Sequence, residues 1–126
     1  WLRERNEVII LSDTYREFIR PLMHKLNYPT VLCHSLQLDE NYRILDYCLR
    51  MRDHKCFAVK AFKELNYQSI AVGDSYNDIN MLKEANQGFL FRTTQKIASE
   101  YPDFPMIQEY EELKNVLERI IKSEKK

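Results

Sequence analysis

Neither sign of charge is in excess: nineteen Lys+Arg balance nineteen Asp+Glu across 126 residues, for a formal net charge of zero. The chain therefore has no global field to recruit nucleic acid or an anionic membrane surface, and any anion it binds must be held by a local site. A basic, aromatic-interleaved pattern that would support nucleic-acid binding is missing too. No apolar run approaches the ~18 residues that a membrane span needs. Cysteine is sparse: Cys33, Cys48 and Cys56 are odd in number and show no C-x-x-C spacing. That argues against a disulfide framework and a zinc site, and predicts buried, reduced thiols in a cytoplasmic protein. Internal repeats, low-complexity tracts and interdomain linkers are also absent. The length is one domain's worth, and 44% hydrophobic with 30% charged residues is a globular rather than a disordered composition.

The chain opens without methionine, basic n-region or cleavage site. Trp1-Leu2-Arg3-Glu4-Arg5 reads as the tail of an amphipathic helix entering an apolar strand, which predicts a fragment whose beginning lies elsewhere.

Strand and helix patterns alternate along most of the length. Glu7-Val8-Ile9-Ile10-Leu11 is a short apolar run suited to a strand buried on both faces of a parallel sheet. Tyr15, Phe18, Ile19, Leu22, Met23 and Leu26 then mark one face of a helix, with Pro21 predicting a kink or a new helix start. A second strand covers Thr30–Cys33. Between Ser35 and Arg50, shorter alternation around Asp39-Glu40-Asn41-Tyr42 predicts an antiparallel hairpin. Asp53 is placed to cap a helix bearing Ala58, Val59, Phe62 and Leu65. Further strands are expected at Ser69–Val72, Gly88–Phe91 and near Met106-Ile107. Helices are expected after Asp78 as their cap residue, over 94–101, and around Leu113, Val116, Leu117, Ile120 and Ile121, the last fraying into 122–126. This alternation predicts an α/β fold: a Rossmann-like parallel sheet flanked by helices, with a small β-hairpin insertion.

In such sheets ligands bind beyond the carboxyl ends of the strands. Ser12-Asp13-Thr14 follows the first strand at the expected start of a helix, where a hydroxyl and backbone N–H groups suit a phosphate oxygen; an ordinary N-cap is the commoner use of these residues. After Ile70-Ala71-Val72 comes Gly73-Asp74-Ser75-Tyr76-Asn77-Asp78, with two carboxylates and an amide within five residues of one of the chain's two glycines. Hard oxygen ligands at a strand end are what Mg²⁺ takes, together with waters and substrate phosphate. Arg52-Asp53-His54-Lys55 offers a lysine that could reach a phosphate, although most lysines in such runs are solvated, and His54 is expected at the surface.

The order strand–Ser12, Lys55, strand–Gly73-Asp74-x-x-Asn77-Asp78 resembles the haloacid dehalogenase superfamily. Val8–Thr14, Gly73–Asp78 and Met81-Leu82-x-Glu84-Ala85 are similar to its phosphoserine phosphatase branch, including members that transfer phosphate to homoserine. The resemblance runs from Trp1 to about Leu117. It implies that Ser12, with the neighbouring Asp13 and Thr14, holds the phosphoryl group; that Lys55, or Lys60 if the helix starts later, offsets its charge; that Asp74 ligates Mg²⁺; that Asn77 contacts phosphate; and that Asp78 orients the lysine or a metal-bound water. The substrate implied is a small phosphomonoester such as phosphoserine. The family's first motif, an apolar strand ending in Asp-x-Asp whose first carboxylate becomes an aspartyl-phosphate, has no counterpart here, and neither does the helical cap that follows it. The expectation is thus residues 1–126 as the C-terminal portion of an incomplete core domain, catalytically silent alone, from a Mg²⁺-dependent phosphatase. In the family's sheet the missing strand is central, which would leave two strand edges unpaired and the chain marginally stable. A non-catalytic α/β phosphate-binding or interaction module is the other reading of the same residues. Oligomeric state is not legible in the sequence.

Overall fold

A computed structural model describes residues 1–124, and the chain divides into two compact units, Trp1–His54 and a second beginning at Lys55. Among the described residues no helix is long and apolar enough to cross a membrane.

In the first unit a 3-10 turn at Leu2–Glu4 precedes β1 (Ile9–Tyr15), α1 (Arg16–Lys25), β2 (Thr30–Leu38) and β3 (Ile44–Cys48), which give a sheet of order β1-β2-β3. β1 and β2 are parallel, with Ile9, Ile10 and Leu11 opposite Thr30, Val31 and Leu32. Beyond Leu11 the register breaks: the next matched pair is Tyr15 with His34, so four residue steps on β1 run against two on β2. The resulting bulge takes Ser12, Asp13 and Thr14 out of the ladder, a way of re-aiming side chains that sheets use next to functional sites. These three residues were expected at a helix start. They instead lie within β1, and α1 begins at Arg16 with Tyr15 preceding it and no side-chain cap.

Pro21 does not start a new helix: α1 is a single element with the proline inside, lacking only the hydrogen bond its N–H would have made to the Glu17 carbonyl. The Glu17 carboxylate accepts the Leu36 N–H at 2.9 Å, tying α1 to β2. The apolar face of α1 is legible in the sequence, but only Met23 is buried; Phe18, Leu22 and Leu26 are exposed.

β2 serves two partners, parallel to β1 in its first half and antiparallel to β3 in its second. The hairpin is therefore present, with Ser35 opposite Cys48 and Leu36 opposite Tyr47. Its turn is built on Asp39, whose Oδ1 accepts the N–H groups of Asn41 and Arg43, each at 2.8 Å, while Tyr42 sits at φ +60°. Asp39→Ala removes both side-chain bonds from an exposed turn. It should destabilise the hairpin by about 1 kcal/mol, read as faster amide exchange confined to β2 and β3. Contrary to the expectation of three buried thiols, Cys48 on β3 is exposed while Cys33 and Cys56 are buried. Every residue of β3 is exposed, so no position on that strand is sheltered.

The second unit continues α2 (His54–Glu64) and adds β4 (Ile70–Gly73), a 3-10 turn at Tyr76–Asp78, α3 (Ile79–Glu84), β5 (Gln87–Phe91), α4 (Gln95–Glu100), β6 (Met106–Ile107) and α5 (Tyr110–Glu124). Its sheet is wholly parallel, β4-β5-β6. Among the described residues the strands form two three-stranded sheets, with β1 and β4 each an outer strand of its own sheet. Leu82 and Leu90 are essentially inaccessible to solvent, and Ile79, Phe89, Ile97, Ile107 and Leu117 are among the other buried residues. Gly88 permits this packing, because a Cβ there would stand 2.6 Å from the Leu82 carbonyl oxygen. Thr94 caps α4, accepting the Ile97 N–H at 3.3 Å. Asp53 does not have the extended backbone of an N-cap, lying instead at φ +50°. The expected fraying from Lys122 is not seen through Glu124, and Lys125 and Lys126 lie outside the described residues.

Candidate active site

The loop after β4 is organised by one carboxylate. Asp78 is 5% exposed; its Oδ2 accepts the N–H groups of Asp74 at 3.0 Å and Ser75 at 3.1 Å and the Ser75 hydroxyl at 3.1 Å, while its Oδ1 accepts Lys55 Nζ at 2.8 Å. The expected forward cap on the following helix is therefore not made. Asp78 closes a capping box with Ser75 and points back across the loop. Burial alone would push its carboxyl up. The hydrogen bond from Lys55, the Asp74 amide, the Lys55 charge and the Ser75 amide together outweigh burial and hold it below the ordinary carboxylate value.

Gly73 makes this geometry possible for a reason other than the sharp turn the sequence suggests. Its φ is not positive; what matters is room, since a Cβ there would lie 2.5 Å from Asp78 Cβ and 2.7 Å from both Cγ and Oδ2. Lys55, one residue into α2, is 8% exposed rather than solvated, whereas Lys60 is exposed, with Nζ 5.3 Å from the centroid of the Phe57 ring. Asp74 presents an exposed carboxylate, and its main chain is fixed at both ends: its N–H by Asp78 and its carbonyl by the Thr93 hydroxyl at 2.7 Å. Asn77 is exposed in the 3-10 turn. Two contributors escaped sequence reasoning. Ser75 was findable, because Ser75-x-x-Asp78 has capping-box spacing, but buried Thr93 carries no local signal.

In the first unit, Ser12 Oγ accepts the Thr14 N–H at 3.3 Å, so the hydroxyl is not a helix N-cap. The Asp13 carboxylate faces two imidazoles, with Oδ1 3.1 Å from His54 Nε2 and 3.6 Å from His34 Nε2. His54, expected at the surface, is 3% exposed, and its ring centroid lies 4.4 Å from that of His34. A mostly buried lysine–aspartate pair beside an open carboxylate can neutralise and orient an anion next to a cation site. A bulge carrying a serine can present main chain and hydroxyl to a phosphate oxygen.

The model of haloacid dehalogenase-like hydrolases matches residues 1–83. The chain belongs to that family. It is 52% identical over 114 residues to phosphoserine phosphatase ThrH of Pseudomonas aeruginosa, covering 90% of this chain and 56% of that one. It is equally similar to a phosphoserine phosphatase of Pseudomonas syringae, covering 48% of its length. The fold matches a solved phosphoserine phosphatase carrying a phospho-aspartyl intermediate analogue, with TM-score 0.69 at 19% identity over 90% of this chain and 56% of that one. The chain thus spans about half the length of the curated relatives it matches.

Proposed function

We propose that this chain supplies the second, third and fourth motifs of a phosphomonoester phosphatase, with phosphoserine as the leading substrate, in which residues 1–126 are an incomplete core domain and the nucleophilic aspartate lies outside them. The observation that carries the reading is the Lys55–Asp78 pair at 2.8 Å, beside the exposed Asp74 carboxylate at the end of a parallel strand. The names of the relatives support the same chemistry.

The donors suit Mg²⁺. Asp78 has both oxygens occupied by protein donors, which leaves Asp74 as the hard ligand from this loop, and Mg²⁺ habitually takes only one or two protein carboxylates. When bound, the ion would offset phosphate charge and help align it for in-line displacement. Asp74 is held for that role by its backbone bonds to Asp78 and Thr93. Lys55, fixed by Asp78, places a compact positive charge for the transferring phosphoryl group. The Ser12 hydroxyl and the bulge main chain are assigned to the phosphoryl oxygens, and Asn77 to phosphate or its water shell. Hydrolysis and transfer to homoserine differ only in the acceptor.

The test is steady-state turnover of phosphoserine with Mg²⁺. The protein encoded by the complete reading frame is expected to be active and to lose about 100-fold or more in kcat on Asp74→Asn, by analogy with removal of one preorganised charge-stabilising group. The 126-residue chain alone should be inactive. Turnover by the isolated chain, or an Asp74→Asn enzyme with undiminished Mg²⁺ response, would overturn the assignment.

A further inference from the structure

We propose that Asp13, His34 and His54 form an inducible site for a divalent first-row transition ion of the Zn²⁺ or Co²⁺ class, with a ligand set distinct from the Mg²⁺ role given to Asp74. One potential ligand atom from each residue lies within 4.8 Å of the others, and the Asp13 oxygen is 3.1 Å and 3.6 Å from the two imidazole nitrogens. Ligands bound tetrahedrally at Zn–N and Zn–O distances of about 2.0–2.1 Å stand roughly 3.3–3.5 Å apart, so the two Asp13 spacings need only small adjustment, while the two imidazole nitrogens, within 4.8 Å of each other, are drawn together by the ion.

The three residues come from different elements: the β1 bulge, the middle of β2 and the first residue of α2. Both histidines are more than nine-tenths buried and their rings touch, so little side-chain freedom is left to lose on binding. Two imidazoles and one carboxylate favour Zn²⁺, Co²⁺ and their neighbours over Mg²⁺ and Ca²⁺, which prefer all-oxygen shells. No thiolate is involved, so the cysteine spacing has no bearing on this site. The Asp13 side chain is 42% exposed, which provides an entry path and room for water in a fourth position.

One hydrogen bond sets the condition for loading. The Arg50 N–H donates to His34 Nδ1 at 3.0 Å, so neutral His34 carries its proton on Nε2, the atom facing Asp13. Coordination through Nε2 requires that proton to be on Nδ1 instead, and the Arg50 amide must turn away. The ring stays neutral, because the proton changes nitrogens without leaving it. Arg50 is exposed in the segment between β3 and α2, where its amide can turn to solvent, and its guanidinium separately holds the Cys33 carbonyl at 3.2 Å. The Arg50 amide is thus a built-in reporter of occupancy.

Titration of the 126-residue chain with Co²⁺ should give tetrahedral d–d absorption saturating at one ion per chain, displaced by Zn²⁺ and unaffected by excess Mg²⁺. His54→Gln and Asp13→Asn should each weaken binding by at least about tenfold, and Asp74→Asn should leave it unchanged. In the wild-type chain, Zn²⁺ should shift the Arg50 amide resonance and the imidazole resonances of His34 and His54. That readout needs no variant to fold. Absence of the bands, an unmoved Arg50 amide, displacement by Mg²⁺, or affinity that survives His54→Gln but falls in Cys48→Ser would each overturn the site.

Discussion

Lys55→Met is expected to destabilise the chain by about 3–5 kcal/mol, the usual cost of breaking a buried ion pair from one side. The two side chains are 10% and 7% exposed, and they meet at 2.8 Å. Methionine keeps most of the stem's packing and removes the charge, so the loss isolates the uncompensated Asp78 carboxylate rather than a cavity. Asp78 cannot readily turn to solvent, because its other oxygen anchors the Asp74 and Ser75 amides and the Ser75 hydroxyl. Urea denaturation near neutral pH, followed by far-ultraviolet circular dichroism, measures the effect as a lower midpoint.

The pH dependence supplies a second readout with a definite sign. In the wild-type chain the folded Asp78 carboxyl titrates below its unfolded value of about 3.9. Its contribution is therefore fully present above that value and disappears as pH falls through the lower, folded one. Without Lys55 its hydrogen bond and charge are lost, only the Asp74 and Ser75 amides still oppose burial, and the folded carboxyl moves up toward its unfolded value. Acid then weakens the wild type more than the variant. The stability gap should narrow as pH drops below about 4. A gap that stays constant across that range would mean that the loss came from packing and not from the charge pair.

How much of this loop the sequence revealed depends on the range of each interaction. Ile70–Gly73 is a short apolar run followed by two carboxylates, so strand, turn and candidate ligands were all local signals. The importance of Lys55 was not: it sits in a charged run, Arg52-Asp53-His54-Lys55, that reads as solvated surface, and its partner is twenty-three residues away. Only the order of motifs within the family singled it out. His54 was misjudged for the same reason, since its burial depends on Asp13 and His34, both remote in sequence. The bulge in β1 is likewise invisible locally, because it exists only as a mismatch in step between two strands. On α1 the apolar face was plain, yet periodicity tells which residues share a face and not whether anything covers it, hence exposed Phe18 and Leu22 beside buried Met23.

Gly73→Ala tests whether that loop is one cooperative device. The added methyl would stand 2.5 Å from Asp78 Cβ, an atom close to the backbone that cannot swing aside as the end of a flexible side chain can. Relief requires β4 or Asp78 to move, and Asp78 is fastened by four hydrogen bonds. Overpacking alone costs about 1–3 kcal/mol, and displacement of Asp78 adds much of the ion-pair loss. The variant should therefore approach Lys55→Met in midpoint, and the double variant should lose far less than the sum, because both changes disable the same group. Gly88→Ala provides the contrast. Its methyl would press on the Leu82 carbonyl at 2.6 Å and not on any atom of Asp78, so it should destabilise while preserving the acid response assigned to Asp78. If Gly73→Ala also preserves that response and adds fully to Lys55→Met, the glycine serves general packing, and the loop is not organised around Asp78.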